Sequence, residues 1–115
     1  MKLCIILNTN DPEISWNTLR LGNEAITEGH KANLFLLGPG VELENIQNKS
    51  FDVPEALKRF SSSGGGLFAC GSCLELRQQE AGVCPISTMS ELVEMISRLG
   101  QGGYLWLPRL RRSLR

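Results

Sequence analysis

The sequence predicts an α/β protein built on a mainly parallel sheet of about five strands. The apolar runs Leu3–Leu7 and Ala32–Leu37 are continuous rather than alternating, which is typical of strands buried on both faces of a sheet. Segments with helix start signals alternate with these runs along the chain. Strands that alternate with helices indicate a parallel sheet with right-handed crossovers.

The first two helices are predicted from their start signals. Asp11 is a good N-cap and a proline follows it at the first helical position, which predicts a helix over residues 12–28. Asp52 and the proline two residues later repeat this signal and predict a helix over residues 54–61. The mixed, polar residues 41–49 are expected to form a short helical turn and a loop.

The second half of the chain continues the alternation. Thr88 and Glu91 have the capping-box spacing that starts a helix. The predicted elements are a strand at Leu67–Cys70, a helix at about 72–79, a very short strand at Gly82–Pro85, a helix that ends near Gly100, and a last strand at Tyr104–Leu107.

Length and charge predict one domain with a basic tail. A chain of 115 residues fits one domain, which we place at residues 1–107, with a disordered tail at 108–115. The net charge of zero hides an asymmetry, because residues 1–108 carry 8 basic and 12 acidic side chains and the tail holds four arginines. A mildly acidic body argues against DNA as a partner.

The expected compartment is the cytoplasm. Five apolar residues after Met1-Lys2 are too few for the core of a signal peptide, and no run approaches the roughly 20 residues that span a membrane. In a reducing setting the four cysteines are expected to be free, and therefore catalytic, metal-binding or simply buried. Cys4 is expected to be a small residue of the core.

The cysteine turn, residues 70–73, is the candidate site. A strand that ends on Cys70 and passes at once into a helix exposes backbone N–H groups, which favour a thiolate. In a parallel sheet, ligands gather at the carboxyl ends of the strands. That edge is expected to carry Cys70 and Cys73 as catalytic residues, with an anion-binding pocket of Gly71, Ser72, Asn8, Asn10 and Cys84.

Several chemistries fit this pair of cysteines. A metal site would need about four ligands, and the chain has no second paired motif at zinc-finger spacing, so no metal or cofactor is predicted. A dithiol redox centre is open, although a thioredoxin-like fold carries its motif near the N-terminus. A sulfur carrier needs a nucleophilic thiolate that can hold a persulfide, and Cys70 fits this role. Both cysteines could also be inert. Arg77, two helical turns from Cys70, is expected at the surface or in a subunit contact.

The chain resembles the DsrE/DsrF-like family of small sulfur-relay proteins over roughly residues 1–99. The matching segments are Lys2–Asn8, Asp11–Glu13 with Trp16, Gly29-His30, Leu36–Val41, Ala69–Leu74 with Arg77, and Cys84–Leu92. The cysteine turn and the last segment are the most specific of these. After that point the sequence departs from the family pattern.

The resemblance implies a three-layer, flavodoxin-like fold and a persulfide on Cys70. It implies a homotrimer or homohexamer that exchanges sulfur with donor and acceptor proteins. The function predicted from the sequence is therefore that of a sulfur carrier or sulfurtransferase, in which Cys73 resolves the persulfide as a disulfide or assists its transfer. The alternatives are a dithiol-disulfide oxidoreductase and a non-enzymatic assembly subunit.

Overall fold

Five parallel strands form the centre of the molecule. The computed structural model describes residues 1–100, 102–106 and 108. The strands are β1 (Lys2–Leu7), β2 (Lys31–Leu36), β3 (Gly66–Cys70), β4 (Ile86–Ser87) and β5 (Tyr104–Trp106). All pairings are parallel, in the order β4-β3-β2-β1-β5. The predicted parallel sheet is confirmed.

Helical segments fill the connections between the strands. They are α1 (Pro12–Thr27), a 3₁₀ helix (Gly38–Asn45), α2 (Val53–Ser62), α3 (Gly71–Leu76) and α4 (Met89–Ser97). Right-handed crossovers from β1 through β4 place α1, α2 and α3 on one face of the sheet. The return from β4 to β5 runs the other way across the sheet, so α4 lies on the opposite face. This is the three-layer arrangement that the family resemblance implies.

The core lies on both faces of the central strands. Residues Leu3–Leu7 of β1 are each 9% exposed or less, as expected for a strand that has a neighbour on either side. Phe35 of β2 and Phe60 of α2 are fully buried. On the opposite face, Leu92 of α4 is buried against the same cluster. These contacts explain why the strand sequences are apolar without alternation.

The predicted helix starts are confirmed by their caps. The carboxylates of Asp11 and Asp52 accept hydrogen bonds from the backbone N–H three residues later, at 2.9 and 3.1 Å. The hydroxyl of Thr88 accepts one in the same way at 3.1 Å. The carboxylate of Glu91 accepts a hydrogen bond from the buried Ser87 hydroxyl at 2.8 Å. Each cap satisfies a backbone donor that the first helical turn leaves without a partner.

The strand predicted at Gly82–Pro85 is wrong, because the fourth strand is β4. Proline has no N–H and cannot donate to a ladder. Its carbonyl can still accept, and the Ala69 N–H donates to the Pro85 oxygen at 2.8 Å. Regular pairing therefore begins only after Pro85. Cys84 consequently precedes the last strand on this side of the sheet rather than ending it.

The third helix is shorter than predicted. The prediction of 72–79 is wrong at its end, since α3 stops at Leu76. Gln78 has a left-handed backbone with φ 49°, and the Gln79 N–H turns back to the Leu74 carbonyl at 3.0 Å. This closing turn satisfies carbonyls at the helix end that would otherwise lack donors.

Three further predictions concern the loops and the end of the chain. The helical turn predicted at 41–49 is the 3₁₀ helix, which begins earlier, at Gly38. The last predicted strand is present as β5 beside β1, although its final residue, Leu107, lies outside the described residues. The predicted disordered tail also lies outside them, apart from Pro108. Within the described part of the chain, no helix is both long and apolar enough to cross a membrane.

Candidate functional site

The cysteine turn lies at the carboxyl edge of the sheet. Cys70 ends β3 and is the N-cap residue of α3, so strand and helix meet at this residue. Leu7 pairs with Leu36, and Leu36 pairs with Ala69, which brings the ends of β1, β2 and β3 to one level. The segments that follow these strands therefore surround the turn.

The two cysteines of the turn are in contact but differ in exposure. The side chains of Cys70 and Cys73 lie close enough together for Cys70 to raise the pKa of the Cys73 thiol. Cys70 is only 3% exposed, whereas Cys73 is half-buried. Both thiols are free. More of the Cys73 side chain than of the Cys70 side chain is therefore open to solvent.

The loop after β2 supplies a hydrogen-bond donor to this pair. The Gly38 N–H donates to the Cys73 sulfur at 3.1 Å. Gly38 has φ +55°, a left-handed conformation that glycine adopts without strain. Two residues later, a Cβ on Gly40 would lie 2.0 Å from the Leu7 carbonyl oxygen. Glycine at both positions thus lets the loop approach β1 and present its N–H to sulfur.

Opposing influences act on the Cys73 thiol. Burial raises its pKa above 9.0, and the hydrogen bond and charge of Cys70 act in the same direction. The Gly38 N–H and the Arg77 guanidinium act the other way, but the net pKa shift is upward. Cys73 is therefore a neutral thiol at rest near pH 7, beside two groups that stabilise negative charge on sulfur.

A polar network fixes the other side of the turn. Arg77 Nη1 donates to the Cys73 carbonyl oxygen at 3.2 Å, and Arg77 Nε lies 3.9 Å from Glu42 Oε1. The Asn10 amide donates to the second oxygen of Glu42 at 2.7 Å. Residues from the loop after β1, the 3₁₀ helix and α3 are thereby joined. Arg77 was expected at the surface or in a subunit contact; its side chain is 29% exposed and also contacts the cysteine turn.

The other predicted pocket residues are placed differently from one another. Asn8 and Ser72 are exposed at the carboxyl edge. Gly71 is half-buried, and a Cβ there would lie 3.0 Å from a methyl group of Ile86. Asn10 takes part in the site through Glu42. Gly71 therefore serves the packing of α3 on β4, while Asn8 and Ser72 stay open to solvent.

Cys84 is a buried thiol held in its neutral form. It is 1% exposed, and burial, reinforced by the charge of Glu44, raises its pKa to about 12. Glu44 also accepts the Val83 N–H at 2.9 Å, which fixes the loop that carries Cys84. Burial likewise raises the pKa of Cys4, which is fully buried. These two thiols are expected to be chemically silent in the folded protein.

The differences among the thiols predict an order of reactivity. At pH 8 in the native protein, Cys73 is expected to react with iodoacetamide, while Cys4 and Cys84 stay unmodified. Because the pKa of Cys73 lies above 9.0, its alkylation rate should still increase as the pH passes 9. The Cys84 thiol favours folding below the ordinary pKa of 9.0, and this contribution is lost as the pH rises towards about 12.

Peptide mapping after timed alkylation measures these rates, and the protein unfolded in urea, where all four thiols should react, is the control. A Cys73 rate that levels off below pH 9 would contradict the assignment. So would modification of Cys84 at pH 8 in the native protein.

The sequence did not predict the contacts that two residues, Gly38 and Glu42, make in the site. Gly38 lies within the segment Leu36–Val41 that resembles the family, but its N–H contact with Cys73 depends on the left-handed backbone. Glu42 falls in a polar stretch that carries no motif, and no spacing connects it with Arg77. Among the described residues, no group of three or more His, Cys, Asp or Glu side chains could hold a metal ion.

A comparison with models of protein families gives a match. The model of a family described as the DsrE/DsrF-like family matches residues 1–101. These residues include the whole cysteine turn and the strands β1 to β4, but not β5. No curated protein matches the chain.

Proposed function

Because this chain belongs to the DsrE/DsrF-like family, which includes sulfur-relay proteins, we propose that it carries sulfane sulfur as a persulfide on Cys70. The sulfur comes from a donor protein and passes to an acceptor protein. Cys73 assists this exchange or resolves the persulfide. The proposed setting is the reducing cytoplasm, where the four thiols remain free.

The loading step is a thiolate exchange. The Cys70 thiolate attacks the outer sulfur of a donor persulfide R–S–SH, and the S–S bond of the donor breaks. The products are Cys70–S–SH and the thiolate R–S⁻, so sulfur is transferred without net oxidation or reduction. The proton that Cys70 gives up returns to the donor thiolate.

The contact between Cys70 and Cys73 at the carboxyl edge is the observation that supports this proposal most directly. It places two thiols where the loops after β1 and β2 converge, with the Gly38 N–H directed at sulfur. An N–H donor stabilises a sulfur that gains negative charge during exchange. Buried structural cysteines such as Cys4 have no such donor among the described residues.

The proposal includes protein partners and a homotrimer or homohexamer. Apolar side chains are exposed on α3, in the loop before β4, on β4 and on α4. They are Leu76, Val83, Ile86, Met89 and Val93. Exposed apolar groups near a reactive turn suit contact with other protein surfaces. Cys70 is nearly buried, and such contacts could also change its access to a donor.

The test uses the Cys73→Ser variant, in which no disulfide can form within the turn. Reduced protein is incubated with an alkyl persulfide, capped by alkylation and mapped by mass spectrometry. The expected result is a mass gain of one sulfur atom on Cys70. A folded variant in which Cys70 gains no sulfur would overturn the carrier function.

A dithiol-disulfide oxidoreductase is the second candidate, and the same contact between the two thiols favours it. That function requires a Cys70–Cys73 disulfide that turns over with a thiol reductant, and Cys73→Ser should abolish the turnover. In a carrier, the loading of Cys70 with sulfur instead survives this substitution.

A non-enzymatic assembly subunit is the third candidate, and the 3% exposure of Cys70 favours it. In that case Cys70 should resist both alkylation and persulfide loading in the folded protein, also in the presence of its partner chains.

A further inference from the structure

Cys73 has the surroundings of a thiol that hands sulfur on, whereas Cys70 does not. Cys73 is half-buried and Cys70 is 3% exposed, so an acceptor protein reaches Cys73 first. Both the Gly38 N–H and the Arg77 guanidinium act on the Cys73 side of the pair. The two thiols lie close together within the turn, so sulfur has only a short distance to move between them.

We propose that sulfur moves within the turn from Cys70 to Cys73, which delivers it, and that Arg77 is the positioning residue for this step. The inference rests on the proposed persulfide at Cys70 and adds Cys73 as a second residue that carries the persulfide. Cys70 is then the buried acceptor, and Cys73 is the thiol that meets the partner.

The step balances as an exchange between two thiols. Cys73 attacks the outer sulfur of Cys70–S–SH, the S–S bond at Cys70 breaks, and a new S–S bond forms at Cys73. The Cys73 proton passes to the leaving Cys70 thiolate, so the products are Cys73–S–SH and Cys70–SH. No oxidant or reductant is consumed. Attack on the inner sulfur would instead give the Cys70–Cys73 disulfide and hydrosulfide.

Arg77 is held in place from two sides. Its Nη1 donates to the Cys73 carbonyl, and Glu42, which accepts from Asn10, lies beside its Nε. The guanidinium therefore cannot swing freely into solvent. Its positive charge stays close to Cys73, where it stabilises the negative charge that the attacking sulfur carries.

The experiment follows the sulfur with time in the otherwise unaltered chain. Reduced protein is loaded with an alkyl persulfide, quenched by alkylation at intervals, and analysed by fragment-ion mass spectrometry, which separates Cys70 from Cys73. Sulfur should appear first on Cys70 and then on Cys73. In Arg77→Gln the movement should slow by about 3-fold to 10-fold, because the charge near the attacking sulfur is lost. Arg77→Lys, which keeps the charge, should restore most of the rate.

Arg98→Gln is the matched control, because Arg98 pairs with Glu94 on α4 and, among the described residues, has no hydrogen bond or salt bridge to the turn. Cys70 should load with sulfur equally well in Cys73→Ser and in the double variant Cys73→Ser, Arg77→Gln. Equal loading shows that Arg77→Gln slows the movement of sulfur and does not disturb the fold. Sulfur that stays on Cys70 in the unaltered chain would overturn the inference and leave the carrier function standing. A Cys70–Cys73 disulfide with equimolar hydrosulfide would also overturn it. Failure of Cys73→Ser to load at all would instead remove the carrier function.

Discussion

Replacing Cys70 with serine is expected to abolish sulfur loading and leave the fold in place. A serine hydroxyl stays protonated and is a far weaker nucleophile than a thiolate, so the loss of loading should be at least about 100-fold. The side chain is nearly isosteric, and burying a hydroxyl at this 3% exposed position should cost about 1 kcal/mol of unfolding free energy. Persulfide mapping and urea denaturation measure the two effects.

Cys84→Ser is the matched control for this loss. It also places a hydroxyl in a buried position, but Cys84 lies before β4, with a pKa raised to about 12. Loading should therefore stay close to that of the unaltered chain. If Cys70→Ser still gains a sulfur atom on Cys73 at an unchanged rate, Cys73 accepts sulfur from the donor directly, and the order of the two thiols is reversed.

Replacing Gly40 with alanine is expected to destabilise the protein by about 3 kcal/mol or more. The added Cβ would lie 2.0 Å from the Leu7 carbonyl oxygen and 2.8 Å from its carbon. These are backbone atoms of a central strand, and the same oxygen accepts the Leu37 N–H at 2.9 Å. The loop must therefore move away from β1. Urea denaturation measures the loss of stability.

The same movement should disturb Cys73, because Gly38 belongs to the displaced loop. In Gly40→Ala, we therefore expect both a lower stability and a changed alkylation rate of Cys73. Gly64→Ala is the control, since Gly64 has φ +92° and no heavy atom within 4 Å of a Cβ. It isolates the cost of a left-handed backbone, about 1–2 kcal/mol. A Gly40→Ala variant no less stable than Gly64→Ala would contradict the close approach of the loop to β1.

The elements that local chemistry specifies were predicted well. Asp11 and Asp52 cap helices because a short carboxylate satisfies the first backbone donors, and this depends only on the residues that follow. The buried run Leu3–Leu7 needed no partner to be recognised as a central strand. Boundaries that depend on pairing were less predictable. The strand expected at Gly82–Pro85 starts one residue after Pro85, because the ladder with β3 decides where it begins.

For the site, the position of Cys70 at the end of a predicted parallel strand indicated that the cysteine turn lies at the carboxyl edge of the sheet. It did not reveal that Cys70 is the buried thiol and Cys73 the more open one, because exposure depends on packing from other elements. The donor to Cys73, which lies 35 residues earlier in the chain, and the acid beside Arg77 both come from the 3₁₀ helix. Such contacts have no spacing rule that a single sequence could display.

The sequence by itself determined the parallel α/β architecture, the helix starts and the cysteine turn at the carboxyl end of the third strand. Each of these follows from interactions between residues close in the chain or from continuous apolar burial. Only the tertiary structure decided which groups surround the two sulfur atoms, and therefore how Cys70 and Cys73 differ. Burial, the Gly38 N–H and the charge of Arg77 act through space, and the fold alone brings them to the same thiol.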